Sequence, residues 1–170
     1  MLQSGGIMKH KQYALILCIY LCAASVALAT NNFPVAPDQQ MTPGDLCQVP
    51  NALRYPEKIS YCDRNVDKNE KWLVIQNYMK KYNFMIDETN RTEFKIDHYI
   101  PLCMGGANSV ANLWPQHQSV YLISDPLEVV LCEKLAEGKM TQHAAIEKIK
   151  QGKLDYKNIP ALILEIKKIQ

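Results

Sequence analysis

Asp97 and His98 stand side by side within the apolar sequence KIDHYIPL. A carboxylate is a hard oxygen ligand that suits Mg²⁺ or a similar ion. An imidazole can take a proton from water near neutral pH. An ion and a base of this kind can together hydrolyse a phosphodiester, because the ion stabilises charge on the phosphate and on the departing oxygen.

The same pair also has a structural interpretation, in which a buried hydrogen bond between Asp97 and His98 serves only the core. Neighbouring residues of a regular strand point to opposite faces. Both side chains can therefore address one site only if the strand twists or breaks, which Pro101 and the turn at Gly105 and Gly106 favour. The catalytic interpretation requires an open space between this pair and the following helix.

The pattern around the pair predicts a hairpin followed by a helix. Residues 94–100 alternate between apolar and polar and predict a strand, which Pro101 stops. Residues 103–111 are predicted to form a loop. Residues 112–114 predict a short return strand, which Pro115 closes.

Apolar spacing and capping residues predict the helices. The helix after the hairpin is predicted to begin at the N-cap Asp125, with Pro126 and Glu128 in its first turn and Gly138 as its stop. Asp125 is therefore interpreted as a cap and not as a metal ligand. The other predicted helices cover residues 70–82 after a cap at Asp67 or Asn69, residues 141–152, and a last segment from Asn158.

Residues 1–29 are predicted to be a secretory signal peptide. Lys9 and Lys11 precede an apolar run over residues 13–29 that ends in Ala-Leu-Ala. An uncleaved membrane anchor is the alternative, because the run is near the lower length limit for a span. Residues 30–170 are expected to form one α+β domain, a short hairpin surrounded by helices, with no other membrane segment.

The charge of the exported chain is balanced. Removal of residues 1–29 takes away two of 19 basic residues and leaves 17 basic against 17 acidic ones. This balance excludes a nucleic-acid interface that depends on bulk electrostatics. Contact with phosphate must then come from a local basic patch.

Four cysteines remain after cleavage, Cys47, Cys62, Cys103 and Cys132. None has the C-x-x-C spacing, which disfavours a zinc ribbon. An even number in an exported chain predicts two disulfides. The pairs Cys47–Cys62 and Cys103–Cys132 are favoured because each closes a local loop, and four free thiols are the alternative.

The segment DHYIPLCMGGANSVANLWPQ resembles the HNH endonuclease motif of the ββα-metal, or His-Me finger, nucleases. Its pattern is similar to a branch of the family found in exported bacterial proteins. The segments TPGDLC, RYPEKISYCDRNV and DPLEVVLCEKLAEGKMTQHAAIEKI are similar to that branch as well, so the resemblance covers most of residues 42–149. It implies a ββα-metal core at about residues 94–137.

The resemblance also implies roles for three residues. His98 matches the general base that activates water, and Asp97 matches the acidic metal ligand before it. Asn112 matches the middle Asn of the motif, which orients the loop and the base by side-chain hydrogen bonds. The alternative for Asn112 is a local turn cap.

The third motif position departs from the family. It falls on Tyr121 or Leu122, and neither is a good metal ligand. His117 is the nearest imidazole, one helical turn earlier, and is predicted to be the second metal ligand.

These features predict a secreted or periplasmic metal-dependent endonuclease that cuts DNA with little sequence specificity, with RNA as a second candidate substrate. One divalent ion is expected, Mg²⁺ first and Mn²⁺ or Zn²⁺ as alternatives. Arg64, Arg91 and Lys95 are predicted substrate contacts, and a purely structural ion pair is the alternative for Arg64. The competing function is a catalytically inactive, disulfide-stapled binding module that retains the ββα shape.

Overall fold

This computed structural model describes Met1 and residues 33–170. The predicted signal peptide lies outside the described residues, apart from Met1. Within the described part of the chain, no helix is long and apolar enough to cross a membrane. The described elements are the strands β1 (Ala52–Arg54), β2 (Ile59–Tyr61), β3 (Phe94–His98) and β4 (Leu113–His117), and the helices α1 (Lys68–Tyr82), α2 (Gln118–Ala136), α3 (Gln142–Leu154) and α4 (Ile159–Lys167).

Two antiparallel hairpins, β1–β2 and β3–β4, stand among four helices in residues 33–170, which confirms the predicted α+β class. β3 and β4 pair from Phe94 opposite His117 to His98 opposite Leu113. The return strand is longer than predicted, because Pro115 lies within it. β4 is an edge strand, where a proline is tolerated.

Helix α1 begins at a capping box. The Asp67 side chain accepts a hydrogen bond from the Glu70 backbone N–H at 2.8 Å, and the Glu70 carboxylate accepts one from the Asp67 N–H at 3.1 Å. This reciprocal pair satisfies two of the N–H groups that a helix start leaves free. Asp67 is thus the cap, one of the two residues predicted for it.

Helix α2 is continuous from Gln118, so the predicted helix start at Asp125 is wrong. His117 caps the helix instead, and its Nδ1 accepts a hydrogen bond from the Ser119 backbone N–H at 3.2 Å. Asp125 therefore lies in the middle of the helix and does not cap it.

Pro126 lies inside α2 and removes one backbone hydrogen bond from it. The helix continues because it buries an apolar face on both sides of the proline. Val120 lies before Pro126 and Leu127 after it, and both are buried. Tertiary packing of this kind supplies most of the stability of a helix in a folded protein.

The last two helices pack on α2. α3 begins directly after Thr141, within one residue of the predicted start, and Thr141 caps it, with Oγ1 accepting a hydrogen bond from the Ala144 N–H at 3.2 Å. α3 does not stop at Gly152 as predicted but continues past it. Gly152 instead permits close packing, because a Cβ there would collide with the Leu127 side chain of α2. α4 begins directly after Asn158, as predicted.

The core of residues 33–170 has two clusters. One joins α2, α3 and α4 and includes Leu127, Leu131 and Ile149. The other joins α1 to β3–β4 and includes Tyr78 and Trp114. The β3–β4 hairpin contacts both α1 and α2, so packing fixes its position.

Two disulfides, Cys47–Cys62 and Cys103–Cys132, confirm the predicted pairing. The second ties the loop after β3 to α2. Each bond contributes about 3 kcal/mol, mostly by restricting the unfolded chain. Structural disulfides persist in oxidising compartments, and these bonds indicate such an environment.

Candidate active site

The two residues of the Asp-His pair contact different elements. Asp97 contacts Lys153 of α3, with 3.0 Å between Oδ2 and Nζ. His98 contacts Arg64 and Asn108. This separation follows from the alternation of side chains along a strand. The two side chains do not bond to each other, so the buried Asp-His hydrogen bond is not formed.

Both ring nitrogens of His98 have a partner. Nε2 lies 3.0 Å from Asn108 Oδ1, and Nδ1 lies 3.3 Å from Arg64 Nη1. The Asn108 amide is oriented by its Nδ2, which donates to the Asp63 carbonyl at 2.7 Å. Because a carbonyl oxygen only accepts and a guanidinium only donates, the imidazole carries its proton on Nε2 and directs the Nδ1 lone pair toward Arg64.

Burial lowers the pKa of His98 to about 4. The hydrogen bond with Asn108 opposes this, and the charge of Arg64 adds to the lowering. The imidazole is therefore neutral at neutral pH, which is the form that can accept a proton. The residue is only 3 % exposed. The exposed Arg64 side chain covers the nitrogen that carries the lone pair.

Asn112 holds the loop after β3. Its Oδ1 accepts a hydrogen bond from the Ile100 N–H at 2.8 Å, and its Nδ2 donates to the carbonyls of Ile100 and Ala107, both at 2.9 Å. Gly106 passes so close to Ile100 that a Cβ would collide with the Ile100 carbonyl oxygen. The Asn112 side chain thus spans the loop and does not cap its own turn.

The Asp97 carboxylate lies between two lysines. Lys153 Nζ contacts Oδ2 and also donates to the His98 carbonyl, and Lys95 Nζ lies 3.7 Å from Oδ1. Burial alone would raise the pKa of Asp97, but the charges of Lys153 and Lys95 lower it. Asp97 is therefore ionised, although the residue is only 8 % exposed.

Helix α2 brings two more carboxylates to Asp97. Lys95 Nζ lies 2.7 Å and 2.8 Å from the two carboxylate oxygens of Asp125, and Lys153 Nζ lies 3.8 Å from Glu128 Oε2. Each ammonium therefore bridges Asp97 to one carboxylate of α2. We call Asp97, Asp125 and Glu128 the carboxylate cluster. Burial raises the pKa of Glu128, and Lys153 partly opposes this.

The carboxylate cluster has the right chemistry for a hard divalent ion. Among the described residues, no three His, Cys, Asp or Glu side chains already form a metal-binding group. Lys95 nevertheless shows that one cation can contact Asp97 and Asp125 together. Mg²⁺ is often held by one or two carboxylates, with water and substrate phosphate as the other ligands. Gln116 faces Lys95 across the hairpin, and its buried Oε1 has no hydrogen-bond partner in the described part of the chain.

His117 lies away from the carboxylate cluster. It pairs with Phe94, three positions along β3 from Asp97, and therefore lies on the opposite face of the hairpin. Its ring stacks on Phe33 with 4.0 Å between centroids, and its Nε2 lies 3.2 Å from Glu93 Oε2. The structure therefore does not bring His117 and Asp97 together, and the role of His117 as the second metal ligand stays a prediction.

The three predicted substrate contacts lie apart. Arg64 covers the imidazole of His98, and its Nη2 donates to the Ile96 carbonyl at 2.8 Å. Lys95 contacts Asp97 and Asp125 of the carboxylate cluster. Arg91 donates to the Phe94 carbonyl at 2.7 Å, at the start of β3. Arg64 and Lys95 therefore lie at the candidate site, and Arg91 does not.

Sequence reasoning missed three residues of this site, Asn108, Glu128 and Lys153. Lys153 had a detectable signal, because Ala145, Ile149 and Lys153 recur at helical spacing and the first two are apolar. A lysine in register with a buried face must have a buried partner for its charge. Asn108 had no such signal, since its role depends on how the loop folds back.

No family model, no curated protein and no solved structure matches this chain. The chemistry of the site is therefore the basis for a function. A neutral imidazole, the exposed guanidinium that contacts it, and the carboxylate cluster all lie along β3.

Proposed function

We propose that this protein is a metal-dependent endonuclease of the HNH type, which hydrolyses phosphodiester bonds of DNA with little sequence specificity. RNA is a second candidate substrate. The observation that carries the proposal is the neutral His98 imidazole at the end of β3, adjacent in sequence to Asp97 of the carboxylate cluster and followed by a loop that Asn112 fixes. The likeness of this segment to the HNH motif supports the same chemistry.

His98 is the base in this proposal. Its Nδ1 lone pair takes the proton of the attacking water, while Asn108 holds the N–H at Nε2. A pKa of about 4 for His98 keeps the ring neutral but makes it a weak base. An anionic phosphate near the ring favours the protonated form, so substrate binding raises the basicity of His98.

Arg64 connects the base to the substrate. Its guanidinium contacts Nδ1 of His98, and the side chain is exposed. A guanidinium binds phosphate oxygens with two parallel hydrogen bonds. Movement of Arg64 onto a phosphate would uncover Nδ1 and bring the scissile bond to the base.

Asp97 and Asp125 would hold the divalent ion, with Glu128 and Gln116 beside them. When bound, such an ion supplies positive charge that stabilises the phosphate and the departing oxygen. The donor atoms are all oxygen, which favours Mg²⁺ or Mn²⁺ over Zn²⁺. Lys95 must leave for an ion to enter, and its side chain is 34 % exposed and can swing into solvent.

We place the activity in the periplasm or outside the cell. The predicted signal peptide and the two disulfides support this location. Because residues 30–170 carry 17 basic and 17 acidic residues, phosphate contact in this proposal depends on a few local side chains, of which Arg64 and Lys95 are the best placed.

The second candidate is a catalytically inactive exported binding module that retains the hairpin-and-helix shape. One observation favours it: His98 and Asp97 are both buried, and Lys153 already neutralises one oxygen of Asp97. In this alternative the two lysines take the place of the ion, and the charged groups serve only the fold.

Nicking of supercoiled plasmid by the exported protein separates the two functions. The endonuclease converts supercoiled plasmid to open circles when Mg²⁺ or Mn²⁺ is present, and EDTA abolishes the conversion. Plasmid that stays supercoiled with either ion rejects the endonuclease and favours the inactive module.

A further inference from the structure

Lys153 carries a buried charge that the proposed reaction does not use. Its side chain is 1 % exposed, and its Nζ contacts Asp97 Oδ2 at 3.0 Å and Glu128 Oε2 at 3.8 Å. It also donates to the carbonyl of His98. Because an isolated buried ammonium is costly, these contacts hold Lys153 in place.

The two lysines around the carboxylate cluster differ in freedom. Lys95 is partly exposed and can leave when an ion enters, whereas Lys153 comes from the buried face of α3 and cannot. An ion at Asp97 Oδ1 would thus share its carboxylate with a fixed positive charge.

We propose that Lys153 is a positioning residue that limits the cation affinity of the carboxylate cluster. It orders Asp97 through Oδ2, leaves Oδ1 as the oxygen for an ion, and repels that ion through its fixed charge. The inference rests on the proposed function, because it concerns the same site.

Two effects of Lys153 on ion binding oppose each other. Ordering one carboxylate helps binding by the entropy of a single short side chain, which is small. Repulsion between two cations on the same carboxylate is large, because the site is shielded from water. Repulsion therefore decides the sign, and removal of the ammonium tightens ion binding.

Mn²⁺ binding without nucleic acid tests the inference, with the free ion measured by electron paramagnetic resonance. The variants are Lys153→Met, the charge-conserving Lys153→Arg, and the control Lys148→Met. Lys148 is on the same helix, in an ion pair with Glu165 at 2.8 Å that does not touch the carboxylate cluster. Lys153→Met should bind Mn²⁺ at least about tenfold more tightly than the wild type does. The affinities of Lys153→Arg and Lys148→Met should lie within about twofold of the wild-type affinity.

Equal or weaker Mn²⁺ binding by a folded Lys153→Met variant overturns the inference, and so does the absence of binding in both wild type and variant. Lys153→Met leaves Asp97 buried without its cation and can prevent folding. In that case the inference predicts that Mn²⁺ restores the fold, measured by far-UV circular dichroism, because the ion replaces the ammonium. A variant that stays unfolded with Mn²⁺ also overturns it.

Plasmid nicking by the wild type in Mn²⁺ distinguishes failure of this inference from failure of the proposed function. If the wild type nicks plasmid but binds Mn²⁺ no more weakly than folded Lys153→Met does, only the role of Lys153 is rejected. Absence of nicking rejects the endonuclease, whatever the affinities are.

Discussion

Asn112 binds both backbone polar groups of Ile100, accepting from its N–H at 2.8 Å and donating to its carbonyl at 2.9 Å. Both residues are buried, so water cannot supply the hydrogen bonds that these backbone groups need. Asn112→Ala leaves the Ile100 groups and the Ala107 carbonyl without partners. We expect a loss of about 3 kcal/mol in the free energy of unfolding, measured by urea titration.

Asn158→Ala is the matched control for Asn112→Ala. Asn158 precedes α4, and its side chain makes no capping hydrogen bond. We expect a change within about 0.5 kcal/mol. A similar loss in both variants would show that the bonds of Asn112 do not stabilise the loop.

The ion site can be located by comparing two variants. Asp125→Asn removes a charge from the carboxylate cluster and should weaken Mn²⁺ binding about tenfold or more. His117→Asn keeps a side-chain acceptor for the cap of α2 and should leave Mn²⁺ binding unchanged, because His117 lies on the other face of the hairpin. Calorimetric titration of both variants with Mn²⁺ makes the comparison. Weaker Mn²⁺ binding by His117→Asn, with unchanged binding by Asp125→Asn, would show that His117 is the ligand.

Arg64→Ala should raise the KM for plasmid about tenfold, because a charged hydrogen bond to phosphate is lost. Arg64→Lys should recover only part of this, since an ammonium lacks the fork of donors. Arg54→Ala is the control, because Arg54 is also exposed but stacks on Tyr61 at 3.2 Å. An unchanged KM in Arg64→Ala would mean that Arg64 only shields His98.

Asp38 ties the segment before β1 to α1 and should make stability depend on pH. Burial alone would raise the pKa of Asp38, but bonds from Lys81, Tyr82 and two backbone N–H groups lower it to about 2. Because the folded pKa lies below the unfolded value of about 3.9, the stabilisation is present above about pH 4 and is lost as the pH falls toward 2. Its size is about 1 to 2 kcal/mol, since solvent screens the partly exposed Lys81.

Urea unfolding of the wild type and of Asp38→Asn, at several pH values between about 6 and about 2.5, checks this prediction. The folded and unfolded pKa values of Asp38 set these limits. The difference in unfolding free energy between the two proteins should shrink as the pH falls. Tyr82 donates to the same carboxylate at 2.8 Å, and burial raises its pKa to about 12, so it does not titrate in this range. A constant difference would show that the Asp38 carboxylate has no special stabilisation.

The features that sequence predicted well depend on local signals. Asp67 caps α1 and Thr141 caps α3 because a short polar side chain reaches N–H groups within its own turn. Cys47 and Cys62 are close in sequence, and so the favoured pairing was the local one. The α+β class followed from the periods of the apolar residues.

The features that sequence missed depend on contacts across the chain. Pro126 has the local signature of a helix start, but packing of α2 on both sides of it outweighs that preference. Because the helix start was wrongly predicted at Asp125, this residue was interpreted as a cap, and its contact with Lys95 was not predicted. Lys153 reaches Asp97 from 56 residues away, a pairing that no local pattern encodes.

The central claim is that the His98 imidazole takes a proton from water during phosphodiester hydrolysis, and plasmid nicking by His98→Ala tests it most directly. His143→Ala is the control, because His143 is an exposed imidazole on α3. With Mg²⁺ or Mn²⁺ present, His98→Ala should nick supercoiled plasmid at least about 100-fold more slowly than the wild type, and His143→Ala at the wild-type rate. A folded His98→Ala variant that nicks plasmid as fast as the wild type would contradict the account.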